Sequence, residues 1–444
     1  MTVFEMAAGL VVLAALFSYF NCAVLKLPPA IGLMALSLAA SLTLVALGAA
    51  VPAVEREAAE LVRRIDLNQA ILHSMLGLLL FAGALHVRVD ELATRRWTIL
   101  TLATVGVLVS TAVVGLLTWV LLHAAGVPAR LVYCLMFGAL ISPTDPIAVM
   151  AILRRAGVPK DMEIKIAGES LFNDGVAVVA YLGLLEVATG KAEFDLLHLA
   201  GLFLWEAVGG AAVGLGLAWV TYRMLRSVDH YQVEVMLSLA LAAGGYALVN
   251  RLHMSGPVAA VVAGLLIGNL GRAYAMSPEV LDHMDKFWEL LDELLNAVLF
   301  VLIGLEVLAL AFTGERVLLG LAAIPVVLLA RLASVAPPIA VLRRPGRFAR
   351  YTVRVLTWGG LRGGVSVALA LGIPRVAQGE LVFERDTLLA MTYVVVVFSI
   401  LVQGLTLGPL VKRWMARRPN PGAATAHHGE GRHPEVISHR GAGE

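Results

Sequence analysis

Apolar runs long enough to cross a bilayer recur from one end of this chain to the other, and few folds can absorb them. A hydrocarbon core about 30 Å thick takes about 20 apolar residues per helix. Thirteen stretches fit: 3–20, 27–51, 68–87, 97–122, 130–152, 165–187, 196–222, 232–250, 255–271, 294–312, 316–342, 352–373 and 386–411. Of the 444 residues 59% are hydrophobic and only 15% charged. Soluble domains carry roughly 25% charged residues and could not hide this much apolar surface. The expected fold is an all-α polytopic membrane protein of thirteen transmembrane helices. Most soluble enzymes, nucleic-acid binders and disordered proteins are excluded.

The basic residues orient the spans. With the segment after 411 in the cytoplasm, thirteen spans put the N-terminus outside. Cytoplasmic segments then hold 21 Lys and Arg and outer segments 9. That bias is the positive-inside pattern. The chain divides into a transmembrane exchange domain, 1–411, and a tail, 412–444, expected to be disordered and to contain His427, His428, His433 and His439. Segment 277–293, with Asp282, Asp285, Glu289, Asp292 and Glu293, reads as an amphipathic connection along the cytoplasmic interface or between helix bundles. Cys22 and Cys134 offer neither a disulfide framework nor metal-ligand spacing. There is no Walker A motif, no HExxH and no GxSxG. The reading is therefore no ATP, no cofactor and no enzyme.

Ionisable groups deep in lipid cost about 2.5–3.5 kcal/mol or more and are functional candidates by default. Here they are Asp145, Glu169, Asp174, Glu306, Arg331 and Arg362. In the fifth span Ser142-Pro143-Thr144-Asp145-Pro146 places two prolines within four residues. Proline cannot continue the ladder, so two half-helices are expected to meet near mid-membrane, with Asp145 as cap, site residue or both. In the sixth span Gly168-Glu169-Ser170-Leu171-Phe172-Asn173-Asp174-Gly175 projects Ser170 with Asp174, and Glu169 with Asn173. A carboxylate with a hydroxyl one turn away is a hard, oxygen-rich corner suited to Na⁺ or Li⁺, and it can also take a proton. The twelfth span carries Trp358-Gly359-Gly360-Leu361-Arg362-Gly363-Gly364-Val365-Ser366. Its glycines weaken the helix and let neighbours approach. A midplane arginine needs a carboxylate, and pairing Arg362 with Glu169 frees Asp174 to titrate. The broken fifth and Gly-rich twelfth spans suggest inverted six-helix repeats, spans 1–6 and 8–13, whose discontinuous helices cross at mid-membrane.

Those three motifs, in that order, resemble bacterial NhaP-type sodium/proton antiporters of the monovalent cation:proton antiporter superfamily, which includes the animal sodium/proton exchangers. Leu329-Ala330-Arg331-Leu332 looks like the family's arginine-bearing helix. The resemblance implies pH homeostasis by a homodimer in the cell membrane, each protomer moving a core domain against a dimerisation domain. It implies that Asp174 exchanges cation for proton, that Thr144 offers its carbonyl and Ser170 its hydroxyl to the ion, and that Glu169 pairs with Arg362. Asn173 stands where relatives moving two protons have a second aspartate, which implies electroneutral exchange. Some relatives carry a cation-binding glutamate on the third span, where this chain has Ala82. The alternatives are a K⁺/H⁺ antiporter of the same fold, a cation channel, or a membrane sensor signalling through its tail.

Overall fold

The computed structural model describes residues 3–50, 71–190, 196–308, 313–342 and 351–416. The helices are α1 (Val3–Phe20), α2 (Pro29–Ala50), α3 (Ile71–Leu85), α4 (Val89–Ala93), α5 (Arg96–Ala103), α6 (Val105–Ala124), α7 (Leu131–Ile141) and α8 (Pro146–Ala156). Then come α9 (Lys160–Ala188), α10 (Leu196–Leu225), α11 (Tyr231–Arg251), α12 (Gly256–Leu266), α13 (Arg272–Tyr274) and α14 (Pro278–Leu305). The last are α15 (Gly314–Leu342), α16 (Thr352–Trp358), α17 (Gly364–Leu371), α18 (Glu384–Phe398) and α19 (Gly404–Ala416).

Among the described residues nine helical stretches are long and apolar enough to span a bilayer, and each coincides with one of the thirteen apolar runs. The other four runs explain themselves. Run 68–87 is represented by a shorter apolar helix, Met75–Leu85, and residues 51–70 lie outside the described residues. Runs 130–152 and 352–373 are each broken into two half-helices, α7/α8 and α16/α17.

Of run 294–312, residues 294–305 are the second half of α14, Glu306–Leu308 form a 3₁₀ turn and 309–312 lie outside the described residues; this corrects the reading of 277–293 as a connection along the interface. Residues 278–305 form one helix of 28 residues, about 42 Å at 1.5 Å per residue. Its first half is amphipathic because Val280, Met284 and Trp288 form a buried stripe at four-residue spacing. Trp288 packs on Phe81 of α3, ring centroids 4.8 Å apart, and donates to the Ser238 hydroxyl of α11 at 3.0 Å. Arg272 clasps Asp285 through both terminal nitrogens. The acidic residues thus line a helix that enters the bundle.

Two apolar clusters hold the helices together. One joins α3, α10, α11, α12 and the start of α14. The larger runs through α2, α7, α8, α9, the end of α14, α15, and α16 to α19. Large apolar side chains point outward on α1 (Phe4, Val12, Leu16, Tyr19) and α10 (Leu204, Trp205, Val208, Trp219), as lipid requires. A two-residue hairpin, Val376–Ala377 with Glu380–Leu381, turns through Gln378 and Gly379 at φ 53° and 80°. Both central residues lie at positive φ, as tight hairpins demand. Helix α19 continues to Ala416, past the boundary at 411, and the tail from 417, with its four histidines, lies outside the described residues.

Candidate ion-binding site at the crossing of two broken helices

The two breaks meet. The Asp145 amide donates to the Leu361 carbonyl at 2.8 Å, joining the unwound segment between α7 and α8 to that between α16 and α17. Arg362 is not inside a helix, as a midspan position suggested, but in this second unwound segment. Its Nη1 donates to the carbonyls of Ser142 at 2.5 Å and Pro143 at 2.9 Å. Its backbone amide donates to Ser399 Oγ at 2.8 Å. Broken helices leave carbonyls without partners, and a buried guanidinium, with five donors, can satisfy several. Arg362 therefore pins the end of α7.

The glycines around it are steric necessities. A Cβ on Gly363 would lie 2.6 Å from Asp145 Oδ2, and one on Gly360 would lie 2.8 Å from Arg331 Nε. Leu299 of α14 fills the space beside Gly364. Close approach at these positions, rather than flexibility, is what the Gly-rich motif provides.

Glu169 pairs with Arg331 of α15 and not with Arg362, which corrects the expected ion pair. Arg331 Nη1 and Nη2 reach Glu169 Oε1 and Oε2 at 2.7 and 2.8 Å, and Nε donates to the Leu356 carbonyl at 3.3 Å. Both partners are buried, Glu169 at 1% and Arg331 at 5% exposure. The parallel two-bond geometry is the strongest an arginine can make with a carboxylate. Arg331 was visible as a charge inside a span, but its choice over Arg362 depends on which helix packs against α9.

Around this pair lies a net of neutral groups. Asn173 Nδ2 donates to Thr144 Oγ1 at 2.8 Å and to Glu169 Oε1 at 3.2 Å. The hydroxyls of Thr144 and Ser170 are 2.9 Å apart. Thr144, Ser170, Asn173 and Glu169 thus form one connected cluster, with Ser170 and Asn173 brought by α9 and Thr144 by the break. Asp174 stands one turn beyond Ser170, 6% exposed. Its charged neighbours are Asp145 and Glu169. Among the described residues none donates a hydrogen bond to its carboxylate. Glu306 falls in a 3₁₀ turn, Glu306–Leu308, away from these residues in sequence, and its side chain is outside what is described.

Two broken helices crossing inside a helical bundle, with an unpaired buried carboxylate at the crossing, are the architecture of a secondary transporter. The family model described as sodium/hydrogen exchanger, transmembrane, matches residues 11–413. The chain belongs to the sodium/hydrogen exchanger family, a family of transporters and not of enzymes. It is 49% identical over 431 residues to the Na⁺/H⁺ antiporter NhaP of Pseudomonas aeruginosa, covering 95% of this chain and 100% of that one. It is 35% identical over 404 residues to the Na⁺/H⁺ antiporter NhaH of Halobacillus dabanensis, covering 88% and 92%. The solved sodium proton antiporter MjNhaP1 of Methanocaldococcus jannaschii superposes with a TM-score of 0.74, covering 94% of this chain and all of that one. At 20% sequence identity that likeness concerns the fold.

Proposed function

We propose that this protein exchanges Na⁺, or Li⁺, for H⁺ across the cell membrane by alternating access, one for one, with Asp174 holding either the cation or the proton. The observation that carries the reading is the unequal state of two carboxylates one turn apart: Glu169 is locked onto Arg331, while Asp174 is buried and unpaired among the described residues. A buried carboxylate needs a proton or a cation, and a small hard cation fits oxygen donors. The Ser170 hydroxyl, the Thr144 carbonyl and Asp145 complete the proposed cage. Arg362 takes the carbonyls of Ser142 and Pro143 and not that of Thr144, which supports Thr144 as the carbonyl donor.

The charges favour one-for-one exchange. Within the crossing itself, leaving α14 aside, Asp145, Glu169, Asp174, Arg331 and Arg362 sum to one negative charge when all are ionised. One Na⁺ or one proton brings that sum to zero, and only the neutral forms then cross the barrier cheaply. Asn173, an amide bonded to Thr144 and Glu169, adds no titrating group. We place the N-terminus outside and the C-terminus in the cytoplasm on the Lys and Arg bias, and we assign the assembly as a homodimer on the family resemblance. The names of the relatives favour Na⁺ over K⁺.

The test is purified protein in liposomes with an inside-acid gradient, a pH dye, and added Na⁺, Li⁺ or K⁺. Wild type is expected to respond to Na⁺ or Li⁺. Asp174→Asn is expected to be silent at unchanged yield and monodispersity. Full activity in that variant would sink the scheme, and a response to K⁺ alone would replace the substrate while keeping the site.

A further inference from the structure

The residues just described belong to α7, α8, α9, α15 and α16–α17, and the helix seated against them, α14, adds a carboxylate of its own. Leu299 of α14 fills the space beside Gly364, and the adjacent Gly363 lies against the Asp145 carboxylate. Residues three, four and seven apart share a helix face. Asn296 and Asp292 therefore stand on the Leu299 stripe, about 5 Å and about 10 Å from it along the axis. Asn296 is 6% exposed, and its amide is spent on the Asp292 backbone carbonyl at 2.8 Å. The Asp292 carboxylate is not spent. Its Oδ1 is buried and has no hydrogen-bond partner among the described residues. Its charged neighbours are Asp145 and, next to it on α14, Glu293, and Asp145 is also a neighbour of Asp174. Asp292 and Asp174 thus share Asp145 as a neighbour, the three carboxylates being contributed by three elements. Asp174 is 6% exposed and has no hydrogen-bond donor among the described residues.

Two like charges facing each other inside a membrane protein, with a buried oxygen unsatisfied, are costly unless a cation comes between them. We propose that Asp292 is a cation-binding residue of this transporter. It holds the hard monovalent cation from the α14 side and passes it to Asp145 and Asp174. The cation path is then shared between the crossing and the helix packed against it, so sliding of one on the other makes or breaks the site. The inference rests on the antiport reading above and is tested separately from it.

Wild type, Asp292→Asn, Asp292→Glu and Asp174→Asn are compared in two measurements: Na⁺-driven proton movement in liposomes across a range of Na⁺, and ²²Na⁺ binding to the purified proteins. Asp292→Asn is expected to raise the half-saturating Na⁺ on the order of tenfold, the loss of one nearby charge at intermediate dielectric. Its maximal rate is expected to stay within about twofold of wild type, because Asp174 still carries the exchange. Asp292→Glu is expected to restore most of the affinity. Unchanged half-saturation in Asp292→Asn, or an Asp292→Glu variant no better than Asn, would overturn the assignment. Wild-type liposomes silent to Na⁺ would overturn the antiport reading instead, and ²²Na⁺ binding would then decide Asp292 alone. If Asp292→Asn is not monodisperse, Asp292→Ser replaces it in both measurements.

Discussion

Glu169 had two arginines to choose from, and nothing local in the sequence decides between them. Arg331 wins because α15 brings its guanidinium flat against the carboxylate, giving two bonds of 2.7 and 2.8 Å. Arg362 is drawn instead to carbonyls exposed by the break it faces. Removing one member of a buried pair strands the other charge, at a cost of about 3–5 kcal/mol. Glu169→Gln is therefore expected to lower yield and thermal stability. The double variant Glu169→Gln with Arg331→Gln is expected to recover part of the loss, because neither charge is then alone. Normal stability in the single variant, read by thermal unfolding in detergent, would refute the coupling. Asn173 can be treated the same way. Asn173→Asp removes an amide that donates to Thr144 and Glu169 and sets a like charge beside Glu169. Destabilisation of about 1–3 kcal/mol is expected, measured by the same unfolding assay.

At the scale of elements, the two breaks were legible because proline and glycine act locally. Pro143 and Pro146 interrupt the ladder wherever the chain places them. The glycines at 359, 360, 363 and 364 announced a weak helix, but only packing shows which of them is needed and why. Gly363 is needed because Asp145 occupies the space a side chain would take. Gly363→Ala is expected to displace the Asp145 carboxylate and to cut Na⁺-driven proton movement at least tenfold. Size-exclusion behaviour should remain that of the wild type. Wild-type transport in that variant would show that Asp145 need not be held there. Helix α14 was the least legible element. Its acidic first half reads as surface until the stripe of Val280, Met284 and Trp288 finds its partners on α3 and α11. A stripe at four-residue spacing says that one face is covered, and not by what.

For the molecule as a whole, the single net charge at the crossing makes a prediction independent of any one contact. If one cation replaces one proton, turnover moves no net charge. Exchange in liposomes should then run at the same rate with the potential clamped by K⁺ and valinomycin as without the clamp. A rate that rises or falls severalfold with the imposed potential would contradict one-for-one exchange, since each elementary charge crossing 100 mV carries about 2.3 kcal/mol. The assembly is a separate question for the same preparation: light scattering on detergent-purified protein should give twice the 47.1 kDa chain mass for a homodimer.

Length and apolarity of its runs, by themselves, made this an all-helical membrane protein, since a bilayer leaves the backbone few other ways to satisfy its hydrogen bonds. Proline, glycine and isolated charges marked where the helices fail and which residues matter, because those effects act within a few residues. Which arginine meets Glu169, which carbonyls Arg362 holds, and the seating of α14 on the crossing were decided only by tertiary structure. Each is a contact between residues more than fifty positions apart, and such contacts are set by the packing of whole helices.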